Sequence, residues 1–540
     1  MEMKWWNESV VYQVYWRSFY DTDGDGYGDL RGVIEKLDYI SELGVDVIWL
    51  NPFYVSPDKD NGYDISDYYS IMPKAGTLQD FEELIAEAKK RNMKIIMDLV
   101  VNHTSNEHPW FKESRSSKDN PKRDWYIWRD GKDGNPPNNW RSYFCPSTWE
   151  YDEETEQYFF HSFAVEQPDL NWENKEVREA IYQMMHFWLQ KGISGFRLDA
   201  IALLAKSAGY PDAEEPDDIR YLTNNPGVHD YLQEMNKMVF SQYDALTVGE
   251  VAFVSPEEGL LYVDESRKEL DTLFHFEVCD EMPTWDLKRF KEIQKRWYEG
   301  LWGKGWNSQF LNNHDHTRLV TRYGNDAEYR VESAKLFAAM LHSLPGMPYI
   351  YQGEEIGMTG VRFDDINDYN DIAMKNKYAE LTANGQDPQE VLEQLQPLSR
   401  DNSRTPMQWD GSEHAGFTNG KPWINVNPNH LEINVEAALS DKDSIFYFYQ
   451  KLIKLRKKHL VFVYGDYTPM MEEDENLYSY MRTYQDESIL FVGNFSETNQ
   501  TVSLPEIEEE NLLISNYGTE ASEENQAIVL KPYEVRIYLV

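Results

Sequence analysis

A chain of 540 residues exceeds what a single hydrophobic core fills, so two or three domains are expected, one of them large. Asp and Glu outnumber Lys and Arg by 94 to 52, and the resulting net charge of −42 repels phosphate backbones and anionic membranes, which excludes nucleic acid and lipid as partners. Cys145 and Cys279 are too few for a disulfide framework, and no apolar run is of membrane length. The sequence therefore reads as a soluble cytoplasmic protein, monomeric or a weak homo-oligomer.

In chain order, Val10 to Tyr15 is an apolar, β-branched run, and Leu30 to Leu43 has helical period up to Gly44. Val45 to Leu50 is a second buried-strand run. Thr77 and Asp80 form a capping box before a helix, and Lys94 to Val101 is a third strand. Alternating strands and helices imply an α/β fold with a parallel sheet, and their number predicts a (β/α)8 barrel. From 104 to 173 the alternation breaks into a Trp-, Asn-, Pro- and Gly-rich stretch too long for a loop, read as a domain inserted after strand three. Asn174 caps the next helix. Strand four is Gly195 to Ala200, strand five Leu246 to Gly249, six Leu273 to Phe276, seven Ser308 to Leu311 and eight Tyr349 to Gln352. The barrel thus spans 1–103 and 174–460, with a polar excursion over about 359–442. Short alternating runs from Val461 to Val540, among them Thr501 to Leu504, predict a C-terminal antiparallel β-domain.

The chemistry of a parallel barrel lies at the C-terminal ends of its strands. There this sequence puts Asp98 with Asn102 and His103, Arg197 and Asp199, Glu250, and His314 with Asp315. Taken singly these are caps or satisfied histidines. Together they are carboxylates, an Arg and neutral donors on one rim, the set needed for glycoside hydrolysis by one attacking and one protonated carboxyl group. Arg197, two residues from Asp199 on the same strand face, is expected to keep Asp199 ionised.

The blocks Asp98 to Ser105, Gly195 to Ala200, Val248 to Glu250 and Asn312 to Asp315 resemble the signature regions of the α-amylase family, glycoside hydrolase family 13. Gln167-Pro168-Asp169-Leu170-Asn171 is similar to the version in its oligo-1,6-glucosidase and α-glucosidase subfamily. The resemblance implies a retaining enzyme acting on small oligosaccharides. Asp199 would be the nucleophile, Glu250 the general acid/base and Asp315 the third carboxylate, with Asp199 and Glu250 about 5–5.5 Å apart. Arg197 would orient Asp199, His103 and His314 would bind hydroxyls, and Asp98 and Gln167 would support the site. It also implies that Asp60 pairs with Arg404 across the pocket floor while Tyr63 stacks under the terminal glucose, giving exo action.

The acidic turn Asp21-Thr22-Asp23-Gly24-Asp25-Gly26-Tyr27-Gly28-Asp29 spaces carboxylates as a hard cation requires, but Gly32 stands where an EF-hand has Glu. It resembles the structural calcium loop of the subfamily, which implies Ca2+ ligands from Asp21, Asp23, Asp25 and Asp29 and the Tyr27 carbonyl. In the subfamily, Val after the nucleophile is common in α-1,6 enzymes. The smaller Ala200 predicts α-1,4 substrates, with an oligo-1,6-glucosidase or a transglucosylating isomerase as the alternatives. The sucrose-isomerase Arg-Leu-Asp-Arg-Asp motif is not matched by Pro283-Thr284-Trp285-Asp286-Leu287.

Overall fold

Eight short strands buried on both faces leave no polar side to expose, and a closed parallel sheet wrapped in helices satisfies them. The computed structural model, which describes residues 3–503, 509–518, 523–524 and 527–540, has this form. The strands are β1 (Val11–Val14), β2 (Val47–Leu50), β3 (Lys94–Val100), β4 (Gly195–Asp199), β5 (Leu246–Glu250), β6 (Thr272–Phe274), β7 (Trp306–Gln309) and β8 (Met347–Tyr351). They close in the ring order β1-β8-β7-β6-β5-β4-β3-β2, with Val11 aligned to both Tyr349 and Val47.

Gly195 opens β4 at φ 147°, and a Cβ there would lie 1.9 Å from the Leu246 carbonyl oxygen of the next strand. Only glycine fits that approach. β6 stops short of the expected Phe276 because Phe276 turns into the left-handed region at φ 54°. Leu30 to Leu43, read as one helix, is two, Leu30–Glu35 and Leu37–Leu43. They part at Lys36, whose ammonium lies over the Tyr20 and Trp409 rings at 3.9 and 4.2 Å. Gly44 ends the second at φ 100°, and the Thr77–Asp80 capping box is formed.

The stretch after β3 carries a helix, Pro109–Ser116, and a three-stranded sheet of Trp128–Arg129, Gln157–Phe160 and Trp149–Asp152. Its core is aromatic, Phe111 meeting Tyr126, Trp128 and Phe159 at 5.0–5.8 Å. The excursion after β8 folds two helices, Ile372–Ala383 and Pro388–Leu395, onto a small apolar cluster of its own.

The β-domain expected from Val461 begins later, because Val461–Tyr464 continues as a short helix. Five antiparallel strands follow, in the order Thr468–Met470, Leu477–Tyr484, Glu487–Asn494, Val535–Leu539, Leu512–Ser515. Leu504 lies outside the described residues. Trp285 of the 283–287 segment stacks on Phe495 of this domain at 5.4 Å, so that segment lies at the domain junction. Among the described residues no helix is long and apolar enough to cross a membrane.

Candidate active site

Because β3, β4 and β5 are hydrogen-bonded neighbours, their C-terminal side chains converge. Asp98 is aligned with Arg197, and Val248 of β5 lies on Arg197's other side. Arg197 is fully buried. Its Nη1 donates to Asp98 Oδ1 and to Asp199 Oδ1, each at 2.6 Å, and its Nη2 lies 2.9 Å from Glu250 Oε2. Burial opposes the guanidinium's charge, but Glu250, Asp98 and Asp199 outweigh it and hold Arg197 firmly cationic.

Arg197 acts, as expected, to keep Asp199 ionised, but burial outweighs it. Desolvation dominates, and the Asp199 carboxyl is pushed up to about 7 in spite of Arg197. Burial likewise pushes Glu250 up to about 7 and Asp98 to about 6. Glu250 Oε2 also accepts the backbone N–H of Ala200 at 2.8 Å. This N–H is aimed by a left-handed turn at Ala200 (φ 43°), so the residue after Asp199 carries a backbone role as well as a side-chain size.

Asp315 behaves oppositely. Burial raises it, but Arg404 at 2.6 Å and Arg400 at 3.5 Å bring it well below the usual carboxylate range. His314, whose Nε2 is 3.0 Å from Asp315 Oδ2, is kept neutral by burial, so the two arginines carry the effect. The Gln13 amide donates to His314 Nδ1 at 2.9 Å, which leaves the proton on Nε2, facing Asp315 and the Tyr63 hydroxyl at 2.7 Å. The Tyr63 and His314 rings lie parallel, 5.4 Å apart. His103, also neutral through burial, donates from Nε2 to the Tyr63 carbonyl at 3.0 Å.

The predicted Asp60–Arg404 pair does not form. Asp60 Oδ1 meets Arg400 Nη2 at 3.2 Å, and Asp60 Oδ2 accepts from the Gln167 amide at 3.1 Å. Arg404 is one helical turn further on, buried behind Asp315 and held by the His314 carbonyl at 2.9 Å. Arg400 also grips Asp371 at 2.8 Å. Sequence reading missed Arg400 and Asp371. The Arg-x3-Arg spacing, which puts two cations on one face of a helical turn, was the available signal.

These groups line a cavity of ≈350 Å3 that takes in Asp60, Tyr63, His103, Gln167, Asp199, Glu250, Asp315 and Arg400. Arg197, Asp98, His314 and Arg404 stand behind it. Tyr143, Phe144 and Phe163 of the inserted stretch, with Phe253, Phe276, Asp280 and His316, complete walls that sequence reading did not foresee. Of the acidic turn, Asp21, Asp23 and Asp29 bring carboxylate oxygens within 4.8 Å of one another, while Asp25 stands apart from that group and instead accepts the Tyr27 N–H at 2.8 Å. Asp29 also caps the Leu30–Glu35 helix, accepting from Gly32 at 2.6 Å. The Tyr27 ring lies against Trp423.

Residues 13–465 match the family described as the α-amylase catalytic domain, and 477–537 match the α-amylase SusG C-terminal domain. The chain belongs to the α-amylase family. An oligo-1,6-glucosidase of Parageobacillus thermoglucosidasius is 54% identical, with all of both chains covered. A trehalose-6-phosphate hydrolase of Bacillus subtilis is 48% identical, over 99% of this chain and 98% of the relative. The crystal structure of an isomaltulose synthase from Klebsiella sp. LX3 superimposes with a TM-score of 0.97 at 42% identity, over the full length of both. This α-amylase-family chain is a glycosidase, and its barrel with a C-terminal antiparallel sheet is the fold of these relatives.

Proposed function

We propose that this protein is a retaining, exo-acting α-glucosidase that releases glucose from the non-reducing end of short α-1,6-linked oligosaccharides. The observation that carries exo action is the Asp60–Arg400 bridge with Gln167 at one end of the cavity, a cluster of donors and acceptors suited to a terminal sugar's hydroxyls. Asp199 is the nucleophile and Glu250 the acid. Both carboxyls are raised by burial and both face Arg197, but Asp199 accepts a hydrogen bond from the guanidinium whereas Glu250, 2.9 Å from it, accepts its hydrogen bond from the neutral Ala200 amide, so the single negative charge favours Asp199. Asp199 attacks the anomeric carbon as Glu250 protonates the departing glycosidic oxygen. Glu250, now ionised, takes a proton from the water that attacks the same carbon and frees Asp199. Asp315, kept ionised, accepts from hydroxyls of the bound glucose beside neutral His314 and His103.

The α-1,6 preference rests on the 54% identity to an oligo-1,6-glucosidase and replaces the α-1,4 lean taken from Ala200. One observation still favours α-1,4 activity: Ala200 lines the cavity with a single methyl group, a size difference worth about 1–3 kcal/mol of discrimination at most. Initial rates on isomaltose, maltose and panose decide. Isomaltose should be cleaved fastest with α-glucose released first; maltose faster than isomaltose overturns the linkage, and no glucose from any overturns the activity.

The Asp21, Asp23 and Asp29 carboxylates bring three hard oxygen donors within 4.8 Å of one another, the donor type a hard divalent cation takes. We assign them a structural Ca2+, which would brace the turn leading into the Leu30–Glu35 helix. The thiols of Cys145 and Cys279 are unpaired, in keeping with a cytoplasmic enzyme.

A further inference from the structure

The cavity has a second end. In an eight-stranded ring β2 and β6 are diametrically opposed, so Asp60, after β2, and Asp280, six residues past β6, face each other across it. The proposed reaction seats the terminal glucose at Asp60, and the leaving sugar departs past Glu250 of β5, the strand paired with β6. Asp280 therefore borders the leaving sugar. It is solvent-exposed at the cavity wall, and among the described residues its carboxylate has neither a hydrogen bond nor an ion pair.

The charges around it are one-sided. Arg400 is the one Lys or Arg lining the cavity among the described residues, and it is committed to Asp60, Asp371 and Asp315 at the other end. Burial raises the Asp280 carboxyl to about 6, and Arg322, the cation that opposes this, is itself bonded to the Cys279 and Met282 carbonyls on either side of Asp280 in the chain. His316, on the same wall, is held neutral by burial, at about 4. A carboxylate with free lone pairs is a strong acceptor for a sugar hydroxyl. Beside Glu250, and only partly offset by Arg322, it is also a barrier to a phosphate.

We propose that Asp280 is a specificity-determining residue of the leaving-group side, accepting a hydroxyl of an uncharged leaving sugar and excluding a phosphorylated one. This separates the chain from its trehalose-6-phosphate hydrolase relative by charge, and it rests on the glucosidase reading above.

The test compares kcat/KM for isomaltose, trehalose 6-phosphate and p-nitrophenyl α-glucoside, whose leaving group has no sugar hydroxyl, in wild type, Asp280→Asn and Asp280→Lys. Asp280→Asn should lower the ratio of isomaltose to trehalose 6-phosphate about tenfold, Asp280→Lys should lower it further, and loss on isomaltose should exceed loss on the p-nitrophenyl glucoside. Asp280→Glu should restore most of the isomaltose rate, which a purely structural role would not predict. A ratio unchanged in both Asp280→Asn and Asp280→Lys overturns the inference, as does a wild type that prefers trehalose 6-phosphate. If wild type prefers maltose, the linkage reading falls and the same ratios with maltose still decide for Asp280. A wild type inactive on all these sugars overturns the glucosidase reading and this one with it.

Discussion

Arg400 meets Asp60 at one end of the cavity at 3.2 Å, while Arg404, one helical turn later, is spent on Asp315 at 2.6 Å. The two arginines look interchangeable in sequence, yet one lines the cavity and the other is walled off behind it.

Their substitutions should separate accordingly. Arg400→Ala leaves Asp60 and Asp371 buried without their cation, and should raise KM for isomaltose so that kcat/KM falls about 100-fold. Arg404→Ala removes the closest partner of Asp315 and should act mainly on kcat. Steady-state kinetics of both variants check this, and a larger KM effect in Arg404→Ala would count against the assignment.

Activity should be bell-shaped in pH and centred near neutrality. Asp199 works ionised and Glu250 works protonated, and burial has pushed each up to about 7. kcat/KM therefore falls below neutrality as Asp199 takes a proton and above it as Glu250 loses one, the two limbs belonging to the coupled pair. A profile flat from about pH 5 to 9 would refute the pairing.

Asp199→Asn should abolish turnover, by at least about 10⁴-fold, without unfolding the protein. The same burial gives this variant a stability signature. A carboxyl whose folded pKa is raised contributes stability below its unfolded value and loses it as pH rises through the folded value, here about 7. Wild type and Asp199→Asn should thus melt alike only below about pH 4 and part as pH rises toward 7, with the variant melting higher at pH 8 by roughly a few degrees. Arg197 keeps Asp98 and Glu250 as partners in the variant. Calorimetry at the two pH values measures the difference, and a variant that melts well below wild type at pH 8 would show that Arg197 needs Asp199.

Ca2+ should raise the melting temperature and a chelator lower it, by an amount that grows with the logarithm of the free ion, about 2.7 kcal/mol at 100 times Kd. Asp21→Asn should flatten that response. Asp21 accepts from the backbone of Asp23, Gly24 and Gly26 as well, so the turn can persist without its charge. Melting curves that superimpose with calcium and with chelator would remove the ion from the account.

The parts of the site carried by barrel strands were legible because strand geometry is local. Arg197 and Asp199 alternate onto one face, and the neighbouring strands bring Asp98 and Glu250 beside them. What the Arg197 environment does to Asp199 was misjudged, since an adjacent cation is visible in sequence and the depth of burial is not. Arg400 was hidden for another reason. It is placed by a long excursion whose helix Ile372–Ala383 buries only Met374 among its residues and so shows little apolar period to read. Asp280 was invisible because its meaning comes from the ring order, which sets β6 opposite β2.

The Asp60–Arg400 bridge joins positions 340 residues apart, and the ring itself closes only where β8 meets β1. During synthesis from the N-terminus, Asp60, Asp98, Arg197, Asp199 and Glu250 all leave the ribosome long before the cation that completes the glucose end. Nascent chains stopped before residue 400 should therefore neither bind sugar nor cleave it, even with every catalytic carboxylate present, and competence should arrive abruptly, with the loop after β8.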